Sequence, residues 1–257
     1  MKGSGPQALG LFLIGCLPFA VPQSPAAPRQ AGNAEASDKG CPPPLARTHP
    51  KPVTLISPPP AAAGPAYVDQ LNTTTLGWPT LPHWCIWIEH LAPPQPGQVV
   101  MDPRSSRWQA AIHAALQAWR PLLPIETVDD PEAAQVRIWR RLPPLGQDPT
   151  GRPRASNGRS LLRAITVTRR AGHWRLEPSI DVLIGQGQRA EALQATALHE
   201  LGHAFGLWGH SGDPGDAMAA AAGPVPVLIP SARDQATLRW LYNQPTPFGR
   251  AVVHSGE

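Results

Sequence analysis

The run His199-Glu200-Leu201-Gly202-His203, followed by Gly206 and His210, constrains this chain more than any other stretch. Residues four apart stand one turn above each other on the same helix face, so His199 and His203 can bind one metal ion while Glu200 points toward it. From Gln188 to Phe205 no proline interrupts, and Ala190, Leu193, Ala197, Leu201 and Phe205 recur at helical spacing as an apolar stripe. One face of the expected helix is therefore core, and an adjacent face carries the histidines. Gly206 can leave the helix in a left-handed conformation without a Cβ penalty, turning the chain so that His210 returns as a third nitrogen. Three protein ligands leave the fourth zinc position open to water, which separates a catalytic from a structural site.

These residue types fit one chemistry. A zinc ion lowers the pKa of its water to about 7, and Glu200, beside the first ligand, is placed to take the proton and pass it to a leaving amine. Glu200 is thus read as general base and not as a ligand. The ion also polarises the scissile carbonyl, so no serine or cysteine nucleophile is needed and none is seen in a nucleophile elbow. Hydrolysis of a peptide bond by a single catalytic Zn2+ is the expected reaction, with a polypeptide as substrate.

The stretches HELGHAFGLWGHSGDPGDAM and PSARDQATLRWLYNQP resemble the metzincin metalloproteases, in particular the matrixin-like bacterial zinc-dependent proteases. That resemblance implies an α+β catalytic domain of zincin type: a mixed twisted sheet, an active-site helix, a methionine turn at Met218 and a C-terminal helix. It also implies His199, His203 and His210 as metal ligands, Glu200 as catalytic residue, and a specificity pocket along Ala219 to Pro230. One departure stands out. The family spacing is HExxHxxGxxH, whereas Trp208 here adds a residue, so Leu207-Trp208-Gly209 is read as a bulge with Gly209 restoring the approach of His210. Asp213 and Asp216 are fallback oxygen ligands, although Ser211-Gly212-Asp213-Pro214-Gly215 also reads as a turn.

Other elements follow from shorter signals. Asp102-Pro103 opens a helix by capping and by a proline at its first position; Trp108, Ile112, Leu116 and Trp119 mark its buried side, and Pro121 stops it. Strands are expected at Trp84–Ile88, Val136–Trp139, Leu161–Thr168 and Ile180–Ile184. The last of these is the candidate edge strand for binding substrate backbone by strand addition.

The 34 prolines are unevenly spread. Residues 21–80 hold Cys41-Pro42-Pro43-Pro44, Pro58-Pro59-Pro60 and alanine runs with few aromatics, so they read as a disordered linker or pro-segment. The catalytic domain is expected over 81–247, with 248–257 as a tail. Residues 1–20 carry Lys2 and the apolar Ala8–Ile14 of an export signal. Leu13-Ile14-Gly15-Cys16 also matches a lipobox, so simple secretion and membrane association through a lipid on Cys16 are both open, and the apolar stretch is too short for an uncleaved span. Either places the domain outside the cytoplasm, as an expected monomer.

Cys41 and Cys85 can pair in an oxidising compartment, but the sequence slightly favours two free thiols, with Cys85 in a strand. A latent zinc ligand at Cys41, as in some matrixin pro-segments, lacks the surrounding pattern. Net charge is +4, with Arg140, Arg141, Arg152, Arg154, Arg159, Arg163, Arg169 and Arg170 grouped around one loop. No nucleic-acid motif accompanies them, so they read as solvated positions and no nucleic-acid partner is expected. No loop of regularly spaced carboxylates announces Ca2+, which stays open. Two rival functions remain beside the peptidase: a zinc-binding protein without turnover, and a proline-rich cell-envelope interaction module.

Overall fold

The computed structural model describes residues 40–57, 65–91, 102–147, 150–169 and 173–251, which belong to one compact unit. Short strands open the chain: β1 (Ala46–Arg47), β2 (Lys51–Pro52), β3 (Leu55–Ile56) and β4 (Thr73–Thr74). They are followed by β5 (Trp84–Ile88), helix α1 (Pro103–Trp119), β6 (Ile125–Val128), β7 (Val136–Trp139), β8 (Gly146–Gln147) and β9 (Pro153–Arg154). The long hairpin β10 (Gly158–Thr168) and β11 (Trp174–Ile184) leads into α2 (Ala190–Ala204), and α3 (Ala232–Tyr242) closes the chain. The fold is α+β. Its mixed sheet runs in the order β1-β10-β11-β7-β5-β6, with β2 also on β10.

Helix α1 starts where expected. The Asp102 carboxylate accepts from the backbone N–H groups of Arg104 and Ser105 at 3.3 and 3.2 Å, and Pro103 supplies a preset φ at the first turn. Trp108, Ile112, Leu116 and Trp119 are buried, and the two indole N–H groups donate to the Ile184 and Leu198 carbonyls, each at 3.1 Å. These bonds satisfy the polar atoms that large buried rings bring with them. Helix α2 lies on β10 and β11, and α1 lies on α2. Its stripe Leu193, Ala197, Leu201 and Phe205 is buried, whereas Ala190 is exposed.

Several expectations need correction. Ile180–Ile184 is not an edge strand: it is part of β11, paired antiparallel to β10 and parallel to β7. The edge belongs to β10, whose residues 163–164 pair with β2 and 167–168 with β1, leaving Gly158–Leu162 without an outer partner among the described residues. Residues 40–57 and 65–80 are not a disordered linker. Tyr67, Val68, Leu71 and Trp78 are buried in the core, and β1 and β2 extend the sheet. A proline-rich composition hid this, because four apolar anchors are enough to seat the segment on a core built by later residues. Cys41 and Cys85 are not free thiols but a disulfide across 44 residues, fastening this segment to β5. That bond also removes Cys41 as a metal ligand. The fold continues past residue 247, with Phe248 buried and the Gly249 N–H donating to the Leu176 carbonyl at 2.8 Å. Residues 1–20, read above as an export signal with Cys16 as a candidate lipid site, and residues 252–257 lie outside the described residues. No helix among the described residues is long and apolar enough to cross a membrane.

Candidate metal centre

Helix α2 ends one turn beyond His199, through Phe205 and then Gly206 at φ +104°. The Gly206 N–H donates to the His203 carbonyl at 2.9 Å and the Leu207 N–H to the Gly202 carbonyl at 3.0 Å, the bond pair of a Schellman cap. A Cβ at Gly206 would also meet Thr80 at 2.9 Å, so this position has both a dihedral and a spatial reason for glycine.

Beyond the cap the chain bulges at the extra residue. The Trp208 N–H turns back to the Gly206 carbonyl at 2.8 Å, and the Gly209 N–H to the Leu207 carbonyl at 3.0 Å. Asn72, from the N-terminal segment, donates its N–H to the Trp208 carbonyl at 2.6 Å, and Leu71 and Gly209 form an antiparallel bridge. Gly209 lies so close to this segment that a Cβ there would be 2.1 Å from the Gln70 carbonyl oxygen. The Trp208 ring stacks on His203 with centroids 5.4 Å apart.

The result is a cluster. Each of His199, His203 and His210 offers a ring nitrogen within 4.8 Å of the other two. His199 Nδ1 lies 2.9 Å from the Ala217 carbonyl oxygen and His203 Nδ1 lies 2.7 Å from that of Leu207. A carbonyl only accepts, so in both rings Nδ1 carries the proton and Nε2 keeps the lone pair that a metal requires. Burial lowers the pKa of all three imidazoles, and at His203 the neighbouring rings push it down further. Neutral imidazoles at neutral pH are the ligating form. The donor set of three imidazole nitrogens, two of them oriented by carbonyls, fits a zinc ion with an open position.

Glu200 is buried beside the cluster. The Ser160 hydroxyl on β10 lies 2.8 Å from Glu200 Oε2, and a Cβ at Gly158 would meet the Glu200 side chain at 2.8 Å. Burial pushes the Glu200 carboxyl up to about 7, with the Ser160 hydroxyl and Arg159 pulling the other way. Neither Gly158 nor Ser160 carried any signal in the sequence, since their relevance comes only from the sheet lying against α2.

Met218 is fully buried beneath α2, where a Cβ at Gly202 would stand 2.2 Å from its sulfur. The turn that places it hangs on Asp234, also fully buried. This carboxylate accepts from the N–H groups of Ala217 (2.7 Å), Met218 (3.3 Å) and Ser231 (2.8 Å), and from the Tyr67 hydroxyl (2.6 Å). The one sequence signal for it was the Ser231-Ala232-Arg233-Asp234 capping box, which opens α3. Desolvation, and then the Asp234 charge, raise the pKa of the Tyr67 hydroxyl.

The fallback ligands are otherwise engaged. Asp216 is buried and accepts from the Ser211 and Ser231 hydroxyls and from Arg233 Nε at 3.0 Å, tying the loop to α3. Asp213 accepts from the Gly215 N–H at 2.8 Å in a surface turn. Neither joins the histidine cluster.

A cleft passes the cluster in two parts. One, about 420 Å³, is lined by the three histidines, Trp208, Ser160, Arg154 and Arg159. The other, about 460 Å³, lies between α2 and the loop 214–227 and is lined largely by small and aliphatic side chains, including Ala192, Ala195, Ala220, Val225 and Val227. Comparison with protein-family models and with curated proteins gives no match for this chain.

Proposed function

We propose that this chain is a zinc-dependent endopeptidase of the metzincin type, exported from the cytoplasm. The observation that carries the reading is the trio of imidazoles in one space, two with Nδ1 turned to carbonyls, and a buried carboxylate from the same helix alongside. A zinc ion held by His199, His203 and His210 would polarise a scissile carbonyl and acidify a water beside it.

The protein's own groups do the rest. The Glu200 carboxylate takes the proton of the attacking water and returns it to the departing amine, a role that its place beside the three imidazoles allows. Ser160 orients that carboxylate through its hydroxyl. The outer edge at Gly158–Leu162, which has no partner among the described residues, offers backbone N–H and C=O groups to an extended peptide, in line with β2. The apolar half of the cleft accepts a small or aliphatic side chain next to the bond to be cut. The Cys41–Cys85 disulfide supports an oxidising compartment.

The test uses purified protein, an unfolded protein substrate and Glu200→Ala. Cleavage that a chelator stops and zinc restores, and that drops by at least about a hundredfold in Glu200→Ala with zinc still bound at one per chain, supports the reading. Stoichiometric zinc without cleavage replaces it by a zinc-binding protein without turnover. Zinc at background leaves the interaction module.

A further inference from the structure

The basic group noted in the sequence divides sharply in the fold. Arg137 and Arg163 both close on Asp181, the former at 2.9 Å, and Arg169 makes a bidentate pair with Glu177 at 3.0 and 2.8 Å. Arg141 lies over the Trp139 ring at 4.3 Å. Arg154 and Arg159 differ: both line the cleft beside the histidines, and no carboxylate among the described residues forms an ion pair with either. Arg159 is held in place by close approach, its guanidinium lying where a Cβ on Gly146 would be 2.6 Å away. Among the described residues of that wall the one acidic group is Glu200, which accepts from the Ser160 hydroxyl and whose charged form Arg159 favours.

A cationic wall of half-buried Arg159 and exposed Arg154, with no ion-paired carboxylate among the described residues and with the nearby Glu200 already held by Ser160, attracts an acidic group from the ligand. The direction of an added strand says where that group sits. A peptide antiparallel to β10 and in line with β2 has its N-terminal residues toward Arg163, and its C-terminal residues pass Gly158 into the apolar half. The arginines then face residues that precede the scissile bond.

We propose that Arg159, with Arg154, selects peptides carrying Asp or Glu on the N-terminal side of the scissile bond, ahead of an aliphatic residue after it. This deepens the peptidase reading and rests on it.

Cleavage-site profiling on a mixed peptide library is the test, with mass spectrometry to locate each cut. Matched peptides bearing Glu, Gln or Lys before the identified bond then give kinetics. The Glu peptide should exceed the Gln peptide by about fivefold in kcat/KM, carried mainly by KM, with Lys lowest and the gap shrinking at high salt. Arg159→Gln should erase the gap between Glu and Gln, and Arg159→Lys should keep most of it, which a merely structural role would not do. Equal rates for all three peptides overturn the proposal while leaving the peptidase standing. If nothing is cut, the peptidase reading fails, and fluorescence anisotropy of the same peptides on the zinc-loaded protein still judges the wall: preference for Glu over Lys upholds it, and equal binding overturns it.

Discussion

Helix α2 and the loop after it bring imidazoles to one point by different means. His199 and His203 share a face because a helix repeats every 3.6 residues, so their spacing is set within five positions of sequence. His210 owes its place to distant chain: Asn72 and Leu71 hold the bulge at Trp208 and Gly209, and Asp234 holds the turn at Ala217 and Met218. Ala217 in turn orients His199. The candidate metal centre is therefore half local code and half tertiary construction, and the two halves should fail differently.

The largest contrast is expected at the ligands themselves. Loss of an orienting partner alone weakens metal sites by about 10- to 100-fold, so His203→Ala should exceed a hundredfold and leave zinc near background. His210→Ala should retain weakened binding, since both helix ligands persist. Competition against a chromophoric chelator measures both, and equal losses would erase the distinction between helix and loop.

Next in size is the buried hub. Asp234→Ala strands four donors at once, and about 3–5 kcal/mol of stability should disappear in urea denaturation. A loss under about 1 kcal/mol would mean that the loop stands without it. A smaller effect, about 1–3 kcal/mol, is expected from Gly209→Ala, because the new methyl meets backbone at Gln70 and not a side chain that can swing away. Hydrogen exchange should rise in residues 67–72 and stay unchanged in α2. Faster exchange in α2 as well would show that the two halves are not separable.

The smallest effect concerns Asp216. Burial raises its pKa, but donation from Ser211, Ser231 and Arg233 outweighs it, so the folded value lies below the ordinary aspartate one. The stabilisation is thus full above the ordinary value and fades as pH falls through the folded one. The stability advantage of wild type over Asp216→Asn, measured with chelator present, should be under about 1 kcal/mol and shrink below about pH 4. An advantage that grows on acidification would have the wrong sign.

What could be read beforehand follows the same division. The cap at Asp102, the exit at Gly206 and the stripe on α2 from Leu193 onward each depend on a few neighbouring residues and appear as expected, whereas Ala190 is exposed. The edge strand is not legible in the sequence, because β10 and β11 are both long and apolar and alternation cannot say which one lies outside. Tyr67, Ser160 and Asp234 went unnoticed as site-builders, for nothing near them in sequence points to the helix they serve. The order of the N-terminal segment escapes composition, which averages over residues, whereas its seating depends on a few of them and on one disulfide.

The pairing of β2 with Arg163 and Ala164 acts as a stop on the outer margin of β10. Among the described residues nothing pairs with the outer side of Gly158–Leu162 ahead of it, about 17 Å of extended chain. A strand added there would meet the molecule's own backbone after five residues, a built-in ruler for how far upstream the proposed peptidase could grip.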